Sequence, residues 1–132
     1  MTSKVHHAPN GFGTITPYFI AEDAERLLVF VKQAFDAEEI ECVRDGGKIQ
    51  HGLVRIGDSM LEFSSSRPPW SAMPGAIHLY VPDVQAVFDR ALLAGGTSLY
   101  PVADMPYGEL SGGVQDPCGN HWYIATRTRD GY

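Results

Sequence analysis

Histidine, tyrosine and glutamate side chains alternate with bulky apolar ones in two short segments of the chain. In the segment 121–126, His121 and Tyr123 alternate with apolar residues, and in the segment 59–64, Glu62 likewise lies between apolar neighbours. Successive side chains of a strand point to opposite faces, so inward packing of the apolar residues sends the polar ones to the other face. Imidazole, phenol and carboxylate groups on one surface can hold a divalent metal ion or a polar ligand.

A two-residue turn at 57–58 brings further polar side chains to the same surface. This turn pairs the strands on either side of it so that Leu53 lies opposite Glu62. His51 and Arg55 then flank Glu62 diagonally. A histidine or an arginine beside a carboxylate is typical either of acid–base chemistry or of a structural ion pair.

The first strand contributes its own pair of positions, and a repeat maps them onto the second half of the chain. Thr16 and Tyr18 share one face, and an offset of about sixty residues maps them to Ala76 and His78. Trp70, in the intervening linker, is typical either of a residue that clamps the linker or of a stacking wall for a flat ligand. The predicted ligand-binding residues are Thr16, Tyr18, His51, Arg55, Glu62, Trp70, His78, His121 and Tyr123.

Several of these residues also have a purely structural explanation. Glu62 and Arg55 are typical of an ion pair, and His78 on an apolar strand is typical of a hydrogen-bonded structural histidine. Tyr18 and Tyr123 are compatible with core aromatic residues whose hydroxyls are satisfied. The chain contains no strong metal motif such as H-E-x-x-H, so the metal and metal-free readings both stay open.

Composition limits the classes of function. The 132 residues suffice for one domain, and no apolar run approaches the roughly 20 residues that cross a bilayer. The formal charge of −6, without a lysine or arginine cluster, argues against nucleic acid and leaves neutral or cationic ligands open. The first residues lack an apolar secretory segment, and Cys42 and Cys118 indicate no disulfide framework, so we expect a cytoplasmic protein with reduced thiols.

The elements that must position these side chains occur twice in the same order. Asp23 and Asp83 each precede a helical apolar stripe and lie 60 residues apart, as 83 − 23 gives. The predicted strands are 14–20, 39–44, 49–56 and 59–64 in the first half, and 76–81, 97–100, 109–115 and 121–126 in the second. The stretch from Pro101 to Gly108 leaves the bounds of the strands 97–100 and 109–115 open.

These elements predict an α+β fold made of two βαβββ modules. The competing duplicated fold, a ferredoxin-like unit, has two strands per helix, whereas the first half offers four. The predicted segments are a loose lead-in at 1–12, a first module at 13–65, a linker at 66–74 and a second module at 75–127.

Three stretches carry a resemblance to a known family. They are the ending VQDPCGNHWYI at 114–124, the opening Thr16-Pro17-Tyr18 with Asp23, and HGLVRIGDS at 51–59. Together they resemble the glyoxalase/bleomycin-resistance/dioxygenase superfamily, also called vicinal oxygen chelate proteins, and within it the phosphonate-operon-associated glyoxalase-like branch. The resemblance spans roughly residues 13–127, and the D-P-x-G-N ending is fairly specific in that context.

The resemblance implies an open, cupped sheet built from two βαβββ modules and commonly completed in a homodimer. Metal-dependent members place ligands at positions that fall on Thr16, Glu62, Ala76 and Tyr123, of which only Glu62 matches. A catalytic metal site usually needs about three protein donors. A shifted set of His78, Glu62 and His121 is the alternative that would restore a metal.

We therefore expect a metal-free small-molecule-binding protein without a cofactor, similar to the members that sequester a toxic compound. A cationic, planar aromatic ligand suits the acidic charge and the aromatic side chains, with Glu62 as its counter-charge. The alternative is a lyase, isomerase or dioxygenase that uses a divalent metal on His78, Glu62 and His121. A further alternative is metal-free acid–base chemistry by His51 or His78 with Glu62.

Overall fold

The computed structural model describes residues 5–130 and arranges them as two βαβββ modules. The first module contains β1 (Tyr18–Ala21), α1 (Ala24–Phe35), β2 (Glu38–Asp45), β3 (Lys48–Ile56) and β4 (Ser59–Ser65). The second contains β5 (Ala76–Tyr80), α2 (Val84–Leu93), β6 (Thr97–Met105), β7 (Glu109–Gln115) and β8 (His121–Arg127). The predicted α+β fold and its duplicated order of elements are confirmed.

Each module forms its own four-stranded mixed sheet. The strand orders are β1-β4-β3-β2 and β5-β8-β7-β6, so the first and last strands of each module are parallel neighbours. The predicted register across the turn at 57–58 is confirmed, because Leu53 pairs with Glu62. In the parallel ladders Tyr18 lies beside Glu62, and His78 lies beside Tyr123.

Both helices begin at the predicted aspartates. The Asp23 carboxylate accepts a hydrogen bond from the amide of Glu25 at 3.1 Å, and that of Asp83 accepts from the amide of Ala86 at 3.2 Å. These caps satisfy amides that have no partner inside a helix. The predicted apolar stripe of α1 is buried throughout, namely Ala24, Leu27, Leu28, Val31, Ala34 and Phe35.

Two strand boundaries differ from the prediction by more than one residue, and a proline lies at each. Strand β1 begins at Tyr18 instead of Thr14, although the carbonyl of Pro17 still accepts from the amide of Glu62 at 3.0 Å. Strand β6 was expected to end at 100 but runs through Pro101 to Met105. It is an edge strand with register shifts, where a residue without an N–H group is tolerated.

One apolar core joins the two modules. The Trp122 side chain of β8 is 1% exposed and contacts Phe35 at the end of α1, with ring centroids 4.7 Å apart. Phe19 of β1 meets the same indole edge-on at 5.9 Å. The two helices also pack against each other, and Arg90 of α2 donates to the Asp36 carboxylate just after α1. The helix-facing sides of both sheets are thus buried together.

No helix within residues 5–130 is long and apolar enough to span a membrane.

Candidate functional site

A carboxylate inside the turn between β7 and β8 fixes where β8 begins. Asp116 is 2% exposed, and its Oδ1 accepts from the amides of Cys118 at 2.8 Å and Asn120 at 3.0 Å. Its Oδ2 accepts from Asn120 Nδ2 at 2.9 Å and Trp122 Nε1 at 2.8 Å. Asn120 Oδ1 in turn accepts from the amide of Gly75 at 2.9 Å, which ties the start of β5 to the same turn. The D-P-x-G-N ending therefore positions two strands of the candidate site.

The helix-distant side of the first sheet carries a histidine between two carboxylates. His51 Nε2 lies 2.9 Å from Glu62 Oε1, and His51 Nδ1 lies 3.3 Å from Glu41 Oε1. The Tyr18 ring stands beside the imidazole, with centroids 6.2 Å apart. We call Tyr18, Glu41, His51 and Glu62 the acidic face. The predicted neighbours Glu62 and His51 are in direct contact.

The helix-distant side of the second sheet is aromatic. The Tyr80 ring stacks on His78, with centroids 4.6 Å apart and an interplanar angle of 17°. Tyr123 lies parallel to Tyr100 at 6.4 Å, and His121 meets Tyr123 edge-on at 6.1 Å. We call His78, Tyr80, Tyr100, His121 and Tyr123 the aromatic face.

A glycine allows the Tyr100 ring to lie down on the sheet. A Cβ atom on Gly113 would lie 2.3 Å from Cε1 of Tyr100, far inside van der Waals contact. The Tyr100 hydroxyl is fixed at its far end by Ser111 Oγ at 2.9 Å. The ring therefore takes the place of a side chain at Gly113 and presents a flat surface beside Tyr123.

A buried carboxylate holds His78. His78 Nε2 lies 3.0 Å from Glu109 Oε2, and the Glu109 side chain is 6% exposed whereas that of His78 is 38% exposed. Sequence reasoning missed this glutamate because its partner lies two strands away across β8. Tyr80 was not among the predicted site residues. The alternation of side chains along β5 places it on the same face as His78, so the sequence pattern was sufficient to predict it.

Three predicted residues contribute less directly. Arg55 pairs with Glu38 Oε2 at 3.1 Å, so the expected Arg55–Glu62 ion pair is wrong; Glu62 is taken by His51 instead. Trp70 stands in the linker, 55% exposed, under the Arg67 guanidinium. Thr16 precedes β1 and lies outside the ladder that pairs Tyr18 with Glu62.

The donor set of one chain does not fit the metal that the resemblance implies. Glu62, His78 and His121 have separate partners, namely His51, Glu109 and Tyr123. Across residues 5–130, no group of three histidine, cysteine, aspartate or glutamate side chains lies close enough together to hold a metal ion. The three donors of the alternative set are not brought together within the chain.

A groove of about 820 Å³ runs along β5. It is lined by both His78 and Tyr80, by the turn between β3 and β4, and by Val87 and Arg90 of α2. Of the nine predicted site residues, His78 alone lines this groove. The groove therefore reaches the aromatic face at the His78 end.

Neither cysteine is set up as a nucleophile. Burial, reinforced by the nearby Asp116 charge, raises the pKa of the Cys118 thiol to about 11. Burial also raises the pKa of Cys42. The reactive form of cysteine is the thiolate, which both environments disfavour at neutral pH.

Comparison with known proteins identifies relatives in sequence and in fold. An uncharacterized protein of Mycobacterium bovis is 34% identical over 128 residues, covering 88% of this chain and 84% of the relative. The crystal structure of TioX from Micromonospora sp. ML1 superposes with a TM-score of 0.75 at 19% identity, over 87% of this chain and 98% of that one. A glyoxalase-related enzyme from Fulvimarina pelagi gives a TM-score of 0.71 at 20% identity, over 91% and 95% of the two chains. At these identities the two structural likenesses show the fold alone.

A family model matches nearly the whole chain. It covers residues 11–124, from before β1 into β8, and includes the D-P-x-G-N turn. The duplicated fold agrees with this match. The chain therefore belongs to the Glyoxalase/Bleomycin resistance protein/Dioxygenase superfamily.

Proposed function

We propose that the chain is a metal-free small-molecule-binding protein of the glyoxalase/bleomycin-resistance type, which sequesters a planar, cationic aromatic compound. The observation that carries this proposal is the aromatic face, where Gly113 lets the Tyr100 ring lie flat beside Tyr123. Flat aromatic surfaces favour stacked planar ligands. Five rings on one side of a sheet provide such a surface without any metal.

The charge of the ligand follows from the acidic face. Two carboxylates, Glu41 and Glu62, flank one imidazole, that of His51. The imidazole contributes at most one positive charge, so this cluster keeps a net negative charge when both carboxylates are ionised. The whole chain adds to the effect with its formal charge of −6. A cation is therefore the favoured partner.

We also propose that the working unit is a homodimer in which the acidic face of one protomer meets the aromatic face of its partner. Support comes from the separate sheets that carry the two faces in one chain. Tyr18 is 48% exposed and Tyr80 is 58% exposed, which leaves both faces open to a partner.

Two further proposals concern the branch of the family and the location of the protein. The D-P-x-G-N ending supports placing the chain in the phosphonate-operon-associated branch. The free cysteines of the chain, Cys42 and Cys118, support a cytoplasmic location.

Dye binding tests the proposal. We expect the protein to bind the planar cations ethidium and acridine orange in calorimetric titrations, and to leave the planar anion fluorescein unbound. Tyr123→Leu should weaken binding about tenfold because stacking is lost, whereas Tyr123→Phe should retain it. Glu62→Gln should weaken binding of the cations, and Glu22→Gln, which changes the net charge equally at an exposed position, should not.

Two results would contradict the proposal. One is that no cationic dye changes the heat signal or the fluorescence at protein concentrations of roughly tens of micromolar, where even weak binding is detectable. The other is equal affinity for fluorescein and ethidium, which would exclude the acidic face as the counter-charge. Light scattering at the same concentrations measures whether the dimer forms.

A further inference from the structure

The two histidines with glutamate partners differ in how many ring nitrogens are occupied. Both nitrogens of His51 face carboxylates, Glu62 at 2.9 Å and Glu41 at 3.3 Å. His78 uses Nε2 alone, toward Glu109. Within residues 5–130, Nδ1 of His78 makes no hydrogen bond. An ionised carboxylate only accepts, so the Glu109 contact places the ring proton on Nε2 and leaves the lone pair of Nδ1 available.

The His78 ring is also fixed in orientation and open to a ligand. Tyr80 stacks on it at 4.6 Å, and the Glu109 side chain beneath it is 6% exposed. The imidazole itself is 38% exposed and lines the groove along β5. A partly exposed imidazole with one nitrogen held by a buried carboxylate and the other without a hydrogen bond in the described residues is the arrangement of a general base.

We propose that this groove supports metal-free proton abstraction, in which Nδ1 of His78 removes a proton from a weakly acidic carbon of a planar aromatic heterocycle. Glu109 is a positioning residue, which fixes the tautomer and stabilises the imidazolium that forms. This inference rests on the proposed function, because both take planar aromatic molecules at the same face. The inference adds a chemical reaction at the aromatic face, for which the proposed function includes only ligand binding.

The reaction can be followed with 5-nitrobenzisoxazole, a planar heterocycle with one acidic carbon. The C–H bond at that carbon breaks and its proton moves to Nδ1. The electron pair of that bond completes a nitrile while the ring N–O bond breaks, and the oxygen leaves as a coloured phenolate. The proton then passes from Nδ1 to water, so no oxidant, reductant or further reactant is consumed.

We expect wild-type protein to release the phenolate roughly 100-fold faster than buffer of the same pH, the lower end of what a positioned base contributes. His78→Gln should return the rate to that of the buffer, and Glu109→Gln should lower it at least about tenfold. His7→Gln, which removes an exposed histidine near the amino terminus, should leave the rate unchanged. Equal rates for wild type and His78→Gln would overturn the proposal.

A measurement on the wild-type protein keeps the proposal testable if a variant fails to fold. Nitrogen-15 NMR should find that the neutral His78 ring carries its proton on Nε2 and none on Nδ1. A proton on Nδ1 with Nε2 unprotonated would overturn the assignment of the base. Dye binding without turnover would refute the proton transfer alone, whereas turnover without dye binding would refute the sequestering function alone.

Discussion

Asp116 belongs to the D-P-x-G-N ending, one of the stretches that carry the family resemblance, yet its role in this chain is structural. Its two carboxylate oxygens accept four hydrogen bonds, two from backbone amides and two from the side chains of Asn120 and Trp122. The indole held in this way is the centre of the core shared by both modules. The D-P-x-G-N motif therefore acts on the site by placing β8, and none of its own side chains needs to touch a ligand.

Replacing Asp116 by asparagine should destabilise the protein by roughly 3 kcal/mol or more. Each carboxylate oxygen faces two N–H donors, so either orientation of the new amide points its NH₂ group at donors. The free energy of unfolding in urea measures the loss. Asp104→Asn, on the exposed side of β6, serves as the control and should stay within about 0.5 kcal/mol of wild type. A loss of similar size in both variants would contradict this account of Asp116.

The sequence was sufficient to predict those site residues that alternation and a short turn define. Leu53 was predicted opposite Glu62 because a two-residue turn leaves a single register, and the structure has that pairing. His51 follows from the same register. Glu109 was not predictable in this way, because it reaches His78 across an intervening strand and the sequence alone does not define the order of strands.

At the scale of elements, the helices were easier to predict than the strands at the edges of the sheets. An apolar stripe with an aspartate cap defines α1 and α2 locally. The continuation of β6 through Pro101 depends instead on its edge position, where a missing N–H group costs little. The edge position of β6 is a property of the assembled sheet, so no local sequence pattern predicts it.

One ion pair fastens α1 to the hairpin of β2 and β3, and it should make stability depend on acid. Arg44 Nη2 donates to Glu25 Oε1 at 3.0 Å, and this hydrogen bond lowers the pKa of Glu25 below its ordinary value. A lowered carboxyl pKa contributes stability above the ordinary value, about 4.5, and the contribution disappears as the pH falls below it. Both side chains are partly exposed, so solvent screening keeps the contribution at pH 7 small.

Arg44→Gln should therefore lower the free energy of unfolding at pH 7, and the deficit should vanish at an acid pH below the lowered pKa of Glu25. Lys48→Gln, which removes a positive charge at the other end of the same hairpin turn, provides the comparison at both pH values. If the free energy of unfolding of Arg44→Gln stays below that of wild type by the same amount in acid, the arginine stabilises the fold through packing of the aliphatic part of its side chain.

At the scale of the whole molecule, the two modules are separate in hydrogen bonding but continuous in packing. Every strand pairs inside its own sheet. Phe19 and Phe35 of the first module pack on Trp122 of the second, and α1 packs on α2. The chain should consequently unfold as one cooperative unit, because neither module can expose its helix-facing side without exposing that of the other.

The two tryptophans allow a direct measurement of this cooperativity. Trp70 is 55% exposed, so Trp70→Phe should change stability little and leave Trp122 as the sole tryptophan, which reports on the shared core. The urea midpoint from Trp122 fluorescence should coincide with that from far-ultraviolet circular dichroism of both sheets. Two separated midpoints would mean that the modules unfold independently.

The linker between β4 and β5 is the covalent connection between the two modules. The core that the modules share is formed by residues outside this linker. A polypeptide divided after Trp70, in the exposed part of this linker, would still present Phe35 to Trp122 and α1 to α2. Two separately synthesised fragments should accordingly reassemble into one particle.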